Sequence, residues 1–470
     1  MFINQATEDN YFARLNRYVT AMKGGTPDRI PIRFLYQEAA AKYCGVTNQQ
    51  VAVDYHAAFD VTRKMAADMD NDAAMLNAIW STYSVAKSAG WRYLAVPGVD
   101  TAVDNVNQFF EPHDEDDMFL RASEYDEFTE DPTAFIINKW MPRATNRVRF
   151  AGQPVDFDHN QTLLAGAIAY TNYMHAFGPA AHKFKYEAGV VSANAGMIKA
   201  PLDIMADKFR GYIGTCMDGL ERPQKLLKAC EALMPHILAN ALAGADPDKN
   251  VPITIWAHRG CVPFITKEMF DNIFWPTLKP VFEEIIRRGH QILFYGEGNW
   301  EHHYNSLKEL PDYGIIYHID KGDVALAANT FKGKFAISGG LPYDVLSRGT
   351  TKDVHTAMKA LFDVVKDGGG YILDATALML SDIKPENVKA AIDYTLEHGV
   401  YSASSPAKAM GMPTTTHHIP TGKRPPMVVR PWEVESANYA NLTGNVDLVR
   451  QQWQQADAAT YNYLWTSVLW

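Results

Sequence analysis

Titratable side chains stand at the ends of several short hydrophobic, β-branched runs in this sequence. The relevant residues are His258, Tyr295, Glu297, His318 and Asp374. Imidazole, phenol and carboxyl groups transfer protons in many enzymes, and imidazole and carboxylate groups also bind metal ions. We therefore expect acid–base or metal-assisted chemistry, provided that the fold brings the ends of these runs together.

The runs themselves predict parallel strands separated by amphipathic helices. Eight runs have strand character: Pro31–Leu35, Ala74–Ile79, Gly189–Ala193, Pro252–Ala257, Gln291–Tyr295, Gly314–Ile319, Lys334–Ser338 and Tyr371–Asp374. The segments between the later runs have helical periodicity, and Pro385–His398 has good start and stop residues. This alternation predicts an α/β fold, a (β/α)8 TIM barrel, with a doubly wound open sheet as the alternative. In a barrel, the strand ends listed above would meet at one face, where active sites lie.

Two segments do not fit a simple strand–helix repeat. We expect residues 1–402 to form the barrel, with an insertion at about residues 85–185, after strand two, that caps one end. The acidic run Glu111–Asp117 inside it is expected to be solvated surface. Residues 403–470 are predicted to be a C-terminal extension of a loop plus a helix. That extension either packs outside the barrel or serves as a lid or subunit contact.

The composition excludes several classes of protein. The chain has 470 residues, 47% of them hydrophobic, and a net charge of -10, which argues against a nucleic-acid partner. No stretch reaches the roughly 18 apolar residues of a membrane span. The four cysteines include no CxxC pair, and no signal peptide is evident, so we expect a cytoplasmic protein with reduced thiols. The oligomeric state, including a homodimer, stays open.

The order and spacing of several segments resemble the uroporphyrinogen decarboxylase superfamily. Asp28–Ile32 is similar to the N-terminal signature of that family. The most specific stretch, Tyr295 to Asn387, contains Glu297-Gly298-Asn299-Trp300, Gly339-Gly340-Leu341-Pro342 and Lys384-Pro385-Glu386-Asn387. The resemblance covers most of residues 25–402 and implies the same barrel fold.

Within that superfamily, the chain resembles the corrinoid-dependent methyltransferases of the O-demethylase methyltransferase I type. True decarboxylases carry an arginine-rich motif near strand one, and Arg33–Glu38 lacks it. The resemblance implies transfer of a methyl group from a methoxylated, aromatic substrate to the cob(I)alamin of a separate corrinoid protein. This chain has no Asp-x-His-x-x-Gly motif, so the corrinoid must arrive on that partner.

The same resemblance implies a zinc ion, although the ligands differ from those of the family. The family's His-x-Cys pattern falls on Tyr295 and Glu297, and a later cysteine is missing near Asp374. We expect Glu297 and His318 to bind zinc, with Asp374 or Asp320 as a further ligand and with His258 and Cys261 as alternatives. The metal would polarise the ether oxygen as a Lewis acid. In the competing interpretation, Glu297 binds substrate and His318 is a core histidine.

The remaining site assignments follow from location at the strand ends. His258 and Tyr295 are predicted to protonate or position the leaving oxygen, and Tyr36, Asn299 and Trp300 to bind the substrate. Three other functions compete with this one. They are a decarboxylase for carboxylated substrates, a methylcobamide:thiol methyltransferase, and a barrel without catalysis that serves as a binding module.

Overall fold

The hydrophobic runs form a parallel sheet at the centre of the molecule. The structure is a computed structural model, and it describes residues 1–80, 82–112, 114–145 and 147–469. The strands are β1 (Ala73–Ala74), β2 (Leu94–Ala95), β3 (Gln108–Phe109), β4 (Val191–Ser192), β5 (Met197–Lys199), β6 (Ile253–Ala257), β7 (Ile292–Asn299), β8 (Ile315–Lys321), β9 (Ala336–Gly339) and β10 (Tyr371–Ile372).

Helices fill the connections between the strands and form the extension. The α-helices α1 to α21 are, in chain order, Gln5–Met22, Glu38–Tyr43, Asn48–Val53, Tyr55–Asp68, Tyr83–Ser88, Tyr125–Glu130, Pro132–Phe135, Met141–Ala144, Phe157–Tyr186, Pro201–Ile204, Gly211–Glu221, Pro223–Ala243, Lys267–Met269, Trp275–Arg287, Tyr304–Leu307, Val324–Phe331, Tyr343–Ser347, Thr351–Val365, Pro385–His398, Trp432–Ser436 and Val446–Leu469. Shorter turns of 3-10 helix cover Ala122–Glu124 and Glu301–His303, and π-helical turns cover Ile136–Trp140, Met205–Phe209 and Phe270–Phe274.

The parallel strands form a barrel of eight strand positions. A six-stranded sheet has the order β10-β9-β8-β7-β6-β5, and β1 pairs with β4 in a second parallel pair. The chain from β4 to β5 joins these two parts, because Ala193 N donates to Ala74 O and Ala195 N donates to Pro252 O. The predicted first strand closes the circle through parallel bridges from Ile32 to Leu373 and from Arg33 to Ala73. The TIM-barrel prediction is therefore confirmed, and the open-sheet alternative is wrong.

Several predicted strands differ in extent from those in the structure, as strands two and five show. Strand two was expected over Ala74–Ile79, but only Ala73–Ala74 pairs with a neighbour. Strand five was expected to end at Tyr295, whereas β7 continues to Asn299 with a shift of register after Gly296. The extra residues of β7 place Glu297 at the open end of the barrel. We call this end, where the strands have their carboxyl ends, the mouth.

The insertion contains the short antiparallel pair β2–β3 and the 30-residue helix α9. Its acidic run is not only solvated surface, as had been expected. Glu111 pairs with Arg259 at the end of β6, and both carboxylate oxygens of Glu115 accept from Arg210. His113, within the same run, lies outside the described residues. This run therefore ties the insertion to the barrel.

The C-terminal helix α21 is part of the hydrophobic core. Trp465 stacks on His236 of α12 with a centroid distance of 3.7 Å, and Tyr170 of α9 donates to Thr466 Oγ1. The N-terminal half of α21 is exposed. The boundary at residues 402 and 403 stays a prediction. In the described part of the chain, no helix has the length and apolar composition needed to cross a bilayer.

Candidate functional site

The barrel interior is lined by every second residue of each strand, because side chains alternate between the two faces. On β7 and β8 this face carries Tyr295, Glu297, His318 and Asp320. Tyr295 lies deep in the barrel, where its ring stacks between Trp256 at 4.2 Å and His318 at 4.0 Å. Burial raises the pKa of Tyr295 well above its usual value. Tyr295 therefore lies below the mouth, in the packed interior, and its role as a proton donor stays a prediction.

His318 is a buried and neutral histidine with a defined tautomer. Its Nδ1 lies 3.2 Å from Ser338 Oγ, and its Nε2 lies 3.2 Å from the carbonyl oxygen of Thr376. A carbonyl only accepts, so Nε2 carries the proton and Nδ1 accepts from the serine hydroxyl. Burial and then the nearby Arg33 lower the pKa of His318 to about 3. This arrangement agrees with the competing interpretation, in which His318 is a core histidine with both ring nitrogens hydrogen-bonded.

Asp374 is held by a buried arginine. Arg33 donates from Nε and Nη2 to Asp374 Oδ2, at 3.1 Å and 2.9 Å, and both side chains are almost fully buried. Burial raises the pKa of Asp374 to about 7, and the guanidinium opposes that shift. Arg33 also donates to Ser338 Oγ at 2.8 Å. The role of this group is to connect strand one with β9 and β10.

Two of the predicted zinc ligands lie close together, with His318 Nδ1 3.9 Å from Asp374 Oδ2, but the three do not form a ligand set. Both ring nitrogens of His318 already have hydrogen-bond partners, and Arg33 places a positive charge against Asp374. Glu297 Oε1 instead accepts from Trp256 Nε1 at 2.7 Å. Among the described residues, no group of three His, Cys, Asp or Glu side chains has an arrangement that could hold a metal ion. The residues present thus do not fit the zinc site that the resemblance implied.

Two of the predicted substrate-binding residues are core residues. Tyr36 is fully buried and donates to Asn71 Oδ1 at 3.0 Å. Trp300 is fully buried as well, donates to Glu297 O at 2.9 Å, and packs edge-on against Phe294. The third, Asn299, is partly exposed at the mouth, but its Oδ1 accepts from Glu301 N at 2.9 Å and stabilises the turn after β7. Of these three residues, Asn299 alone reaches the mouth, while Tyr36 and Trp300 belong to the core.

The polar groups that do reach the mouth form a cluster around His258. Its Nε2 lies 2.9 Å from Asp207 Oδ2, and Lys199 Nζ lies 2.6 Å from the same oxygen. His258 Nδ1 is buried and has no hydrogen-bond partner in the described part of the chain. Burial by itself would lower the pKa of His258, but Asp207 and Asp203 outweigh it and raise that pKa. The cluster therefore favours a protonated imidazole whose Nδ1–H has no partner.

A second group of side chains lies beside this cluster. Asp320 Oδ2 accepts from Gly298 N at 2.6 Å, and burial followed by the charge of Glu297 raises the pKa of Asp320. Glu297, Asp320 and Trp256 are partly exposed. Trp256 stands two residues before His258, so the indole and the imidazole leave the same face of β6. The mouth thus combines an aromatic surface, two carboxyl groups and the His258–Asp207 pair.

Sequence reasoning identified His258 but missed its partners Asp207, Lys199 and Asp203. The predicted third strand stopped at Ala193, whereas β5 continues the barrel to Lys199. Asp203 and Asp207 then follow at a helical spacing of four residues, so both carboxyl groups can point to one side. That spacing, directly after a strand end, was the signal that could have revealed them.

Comparison with known proteins gives a family match over part of the chain and a solved structure of similar fold. Residues 180–398, from the end of α9 through α19, match the model of the uroporphyrinogen decarboxylase (URO-D) family. A solved structure of a methyltransferase from Methanosarcina mazei has a similar fold, with a TM-score of 0.53 and 14% sequence identity over 82% of this chain and 98% of that chain. No curated protein matches the sequence. The family match spans less than half of this chain, and the solved structure shares its overall fold.

Proposed function

We propose that this protein is a methyltransferase that moves a methyl group from a methoxylated aromatic compound to the corrinoid of a separate protein. The family match and the fold shared with a methyltransferase support methyl transfer as the class of reaction. The observation that carries the proposal is His258, which Asp207 holds at the end of β6 with Nδ1 unpartnered in the described part of the chain. The methoxylated donor and the corrinoid partner come from the resemblance.

The difficulty in cleaving an aryl methyl ether lies with its leaving group. A phenolate has a conjugate acid with a pKa of about 10, so the ether oxygen needs a proton as the bond to carbon breaks. His258 supplies that proton from Nδ1, and Asp207 stabilises the imidazolium beforehand. The electron pair of the broken bond stays on the oxygen, which leaves as a neutral phenol. The methyl carbon forms its new bond to the acceptor, and the reduced corrinoid supplies the nucleophile for that bond when it is bound.

The other residues of the mouth bind and orient the substrate in this proposal. The indole of Trp256, fixed by its hydrogen bond to Glu297, offers a flat surface for an aromatic ring. In the arrangement seen here His258 Nδ1 is buried, so ligand entry must displace a neighbouring group. Because the residues present do not fit zinc, no step of this mechanism uses a metal ion.

Replacing His258 by Gln tests the role of the proton donor. We expect the rate of phenol formation to fall by about 10²- to 10⁴-fold, the usual contribution of a general acid, with a smaller effect on substrate affinity. The assay combines the protein with a reduced corrinoid protein and a panel of methoxyaromatics, and follows the phenol and the visible spectrum of the corrinoid. His175→Gln is the matched control, because His175 is exposed on α9.

Three results would contradict the proposal. If none of the methoxyaromatics gave a phenol, the protein would not be a methyltransferase that acts on ethers. An unchanged rate for His258→Gln would show that His258 is not the proton donor. Release of carbon dioxide from a carboxylated compound without methyl transfer would indicate the decarboxylase function instead.

A further inference from the structure

Arg259 lies at the mouth directly after His258, and two aromatic rings hold its guanidinium in place. The Cζ atom lies 5.2 Å from the centroid of the Tyr212 ring and 5.5 Å from that of Phe264. The side chain is 17% exposed. Aromatic contacts of this kind fix the plane of a guanidinium and leave its N–H groups free to bind a planar anion.

Among the described residues, this guanidinium uses only part of its hydrogen-bonding capacity. Nη2 donates to Glu111 Oε1, but Nε is buried without a hydrogen-bond partner. Asp207 Oδ1 lies 3.6 Å from Nε, too far for a hydrogen bond, and Asp207 is already bound by His258 and Lys199. An arginine offers five N–H donors, so Arg259 has donors left, among the described residues, for a second and better placed carboxylate.

Glu111 contacts Arg259 from the insertion, and another carboxylate could take its place there. It follows β3, its side chain is 22% exposed, and its other oxygen accepts only a long bond of 3.3 Å from Tyr212 N. The same segment has an independent anchor, because Glu115 accepts from Arg210 and from Ala122 N. The carboxylate of Glu111 can therefore leave Arg259 while the insertion stays attached.

We propose that Arg259 binds the carboxylate of a small-molecule ligand, and that Glu111 occupies this position until the ligand displaces it. A carboxylate is the group that the site already holds, and a bidentate pair with a free ligand would use donors that Glu111 leaves idle. The body of such a ligand would extend along the inward face of β6, over Trp256 and towards His258. As a statement about the methyl donor the inference rests on the proposed function, whereas carboxylate binding is measurable without methyl transfer.

Calorimetric titration with 4-methoxybenzoate and with uncharged methoxybenzene tests this site. Glu111→Gln removes the competing carboxylate, so we expect 4-methoxybenzoate to bind this variant about tenfold or more tightly than the wild type, the usual effect of one hydrogen bond to a charged group. Affinity for methoxybenzene should not change. Asp116→Asn is the matched control, because it removes the same charge from an exposed position of the same segment and should leave both affinities unchanged.

Arg259→Lys keeps the charge but loses the forked geometry, and it should lose at least about tenfold in affinity for 4-methoxybenzoate. Thermal unfolding checks that this variant is folded; if it is not, the Glu111→Gln result decides alone. Unchanged or weaker carboxylate binding by Glu111→Gln, or an equal gain with Asp116→Asn, would overturn the inference. Carboxylate binding without any methyl transfer would support this site and count against the proposed function, so the two failures are distinguishable.

Discussion

The histidines of this protein show how neighbours decide the chemistry of one residue type. His258 directly follows β6, and His318 lies within β8, two strands away in the same sheet. Asp207 and Asp203 raise the pKa of His258, whereas burial beside Arg33 lowers that of His318 to about 3. The first histidine is therefore suited to proton donation and the second to packing. The sequence shows only that each of these two histidines lies near the end of a predicted strand, so it does not distinguish their roles.

A third histidine, His303, gives a test of this reasoning. It is buried against Phe270 at a ring distance of 3.5 Å, and neither ring nitrogen has a hydrogen-bond partner among the described residues. Burial lowers its pKa to about 4 from the ordinary 6.5. The unfolded chain therefore binds a proton more readily than the folded one, and the stability contributed by neutral His303 is lost as the pH falls from 6.5 to 4.

We expect His303→Phe to leave the free energy of unfolding at pH 7 unchanged or higher, because an unpartnered polar group becomes apolar. Between pH 6.5 and 4, the variant should lose less stability than the wild type, by up to about 1.4 kcal/mol per pH unit. Urea unfolding at several pH values measures this. His398→Gln, an exposed control, should keep the wild-type slope; the same slope in His303→Phe would show that His303 does not titrate as argued.

At the scale of elements, the C-terminal helix α21 has two halves with different roles. In its C-terminal half, Trp465 stacks on His236 and donates to Thr133 Oγ1 at 3.2 Å, and Tyr461 OH lies 2.6 Å from His236 Nδ1. The helix therefore joins the insertion to α12 of the barrel. Its N-terminal half, which carries Leu448, is exposed. The part that packs is a structural element of the core, not a lid.

Replacing one side chain by Ala in each half of α21 should separate these two roles. Trp465→Ala removes a fully buried ring and should lower the free energy of unfolding by about 3–5 kcal/mol. Leu448→Ala, at a position that is 52% exposed in the same helix, should change it by no more than about 0.5 kcal/mol. Urea denaturation gives both values. Similar losses for the two variants would contradict the division of the helix.

At the scale of the whole molecule, a buried polar group closes the barrel. Arg33 of strand one donates to Asp374 and to Ser338, which belong to the last two strand positions. Tyr18 of α1 lies 3.4 Å from the same guanidinium. First and last strands are distant in sequence, so their pairing must be stabilised by contacts of this kind. The site at the mouth depends on this closure, because closure sets the separation of the strand ends.

Replacing Arg33 by Met should destabilise the fold by about 3–5 kcal/mol, because Asp374 is left as an unpaired buried carboxyl group. The double variant Arg33→Met, Asp374→Leu should recover most of that loss, since no buried charge remains. Chemical denaturation of both variants measures the difference. Arg149→Met breaks an exposed pair with Asp156 and should cost no more than about 1 kcal/mol. A double variant as unstable as the single one would show that packing, and not the unpaired carboxyl group, explains the loss.

The sequence by itself determined the architecture of this protein and three residues of the candidate site, His258, Glu297 and Asp320. Hydrophobic runs alternate with helical periodicity, and this pattern depends only on local spacing, so all eight strand positions were found and His258 was placed at a strand end. The tertiary structure decided everything that depends on partners. Arg33 and Asp374 are 341 positions apart and Glu111 and Arg259 are 148 apart. Local spacing in the sequence does not predict such pairs. They nevertheless determine that Asp374 stabilises the closed barrel and that Arg259 lies at the mouth, because the charge and hydrogen bonding of a side chain are set by its neighbours in space.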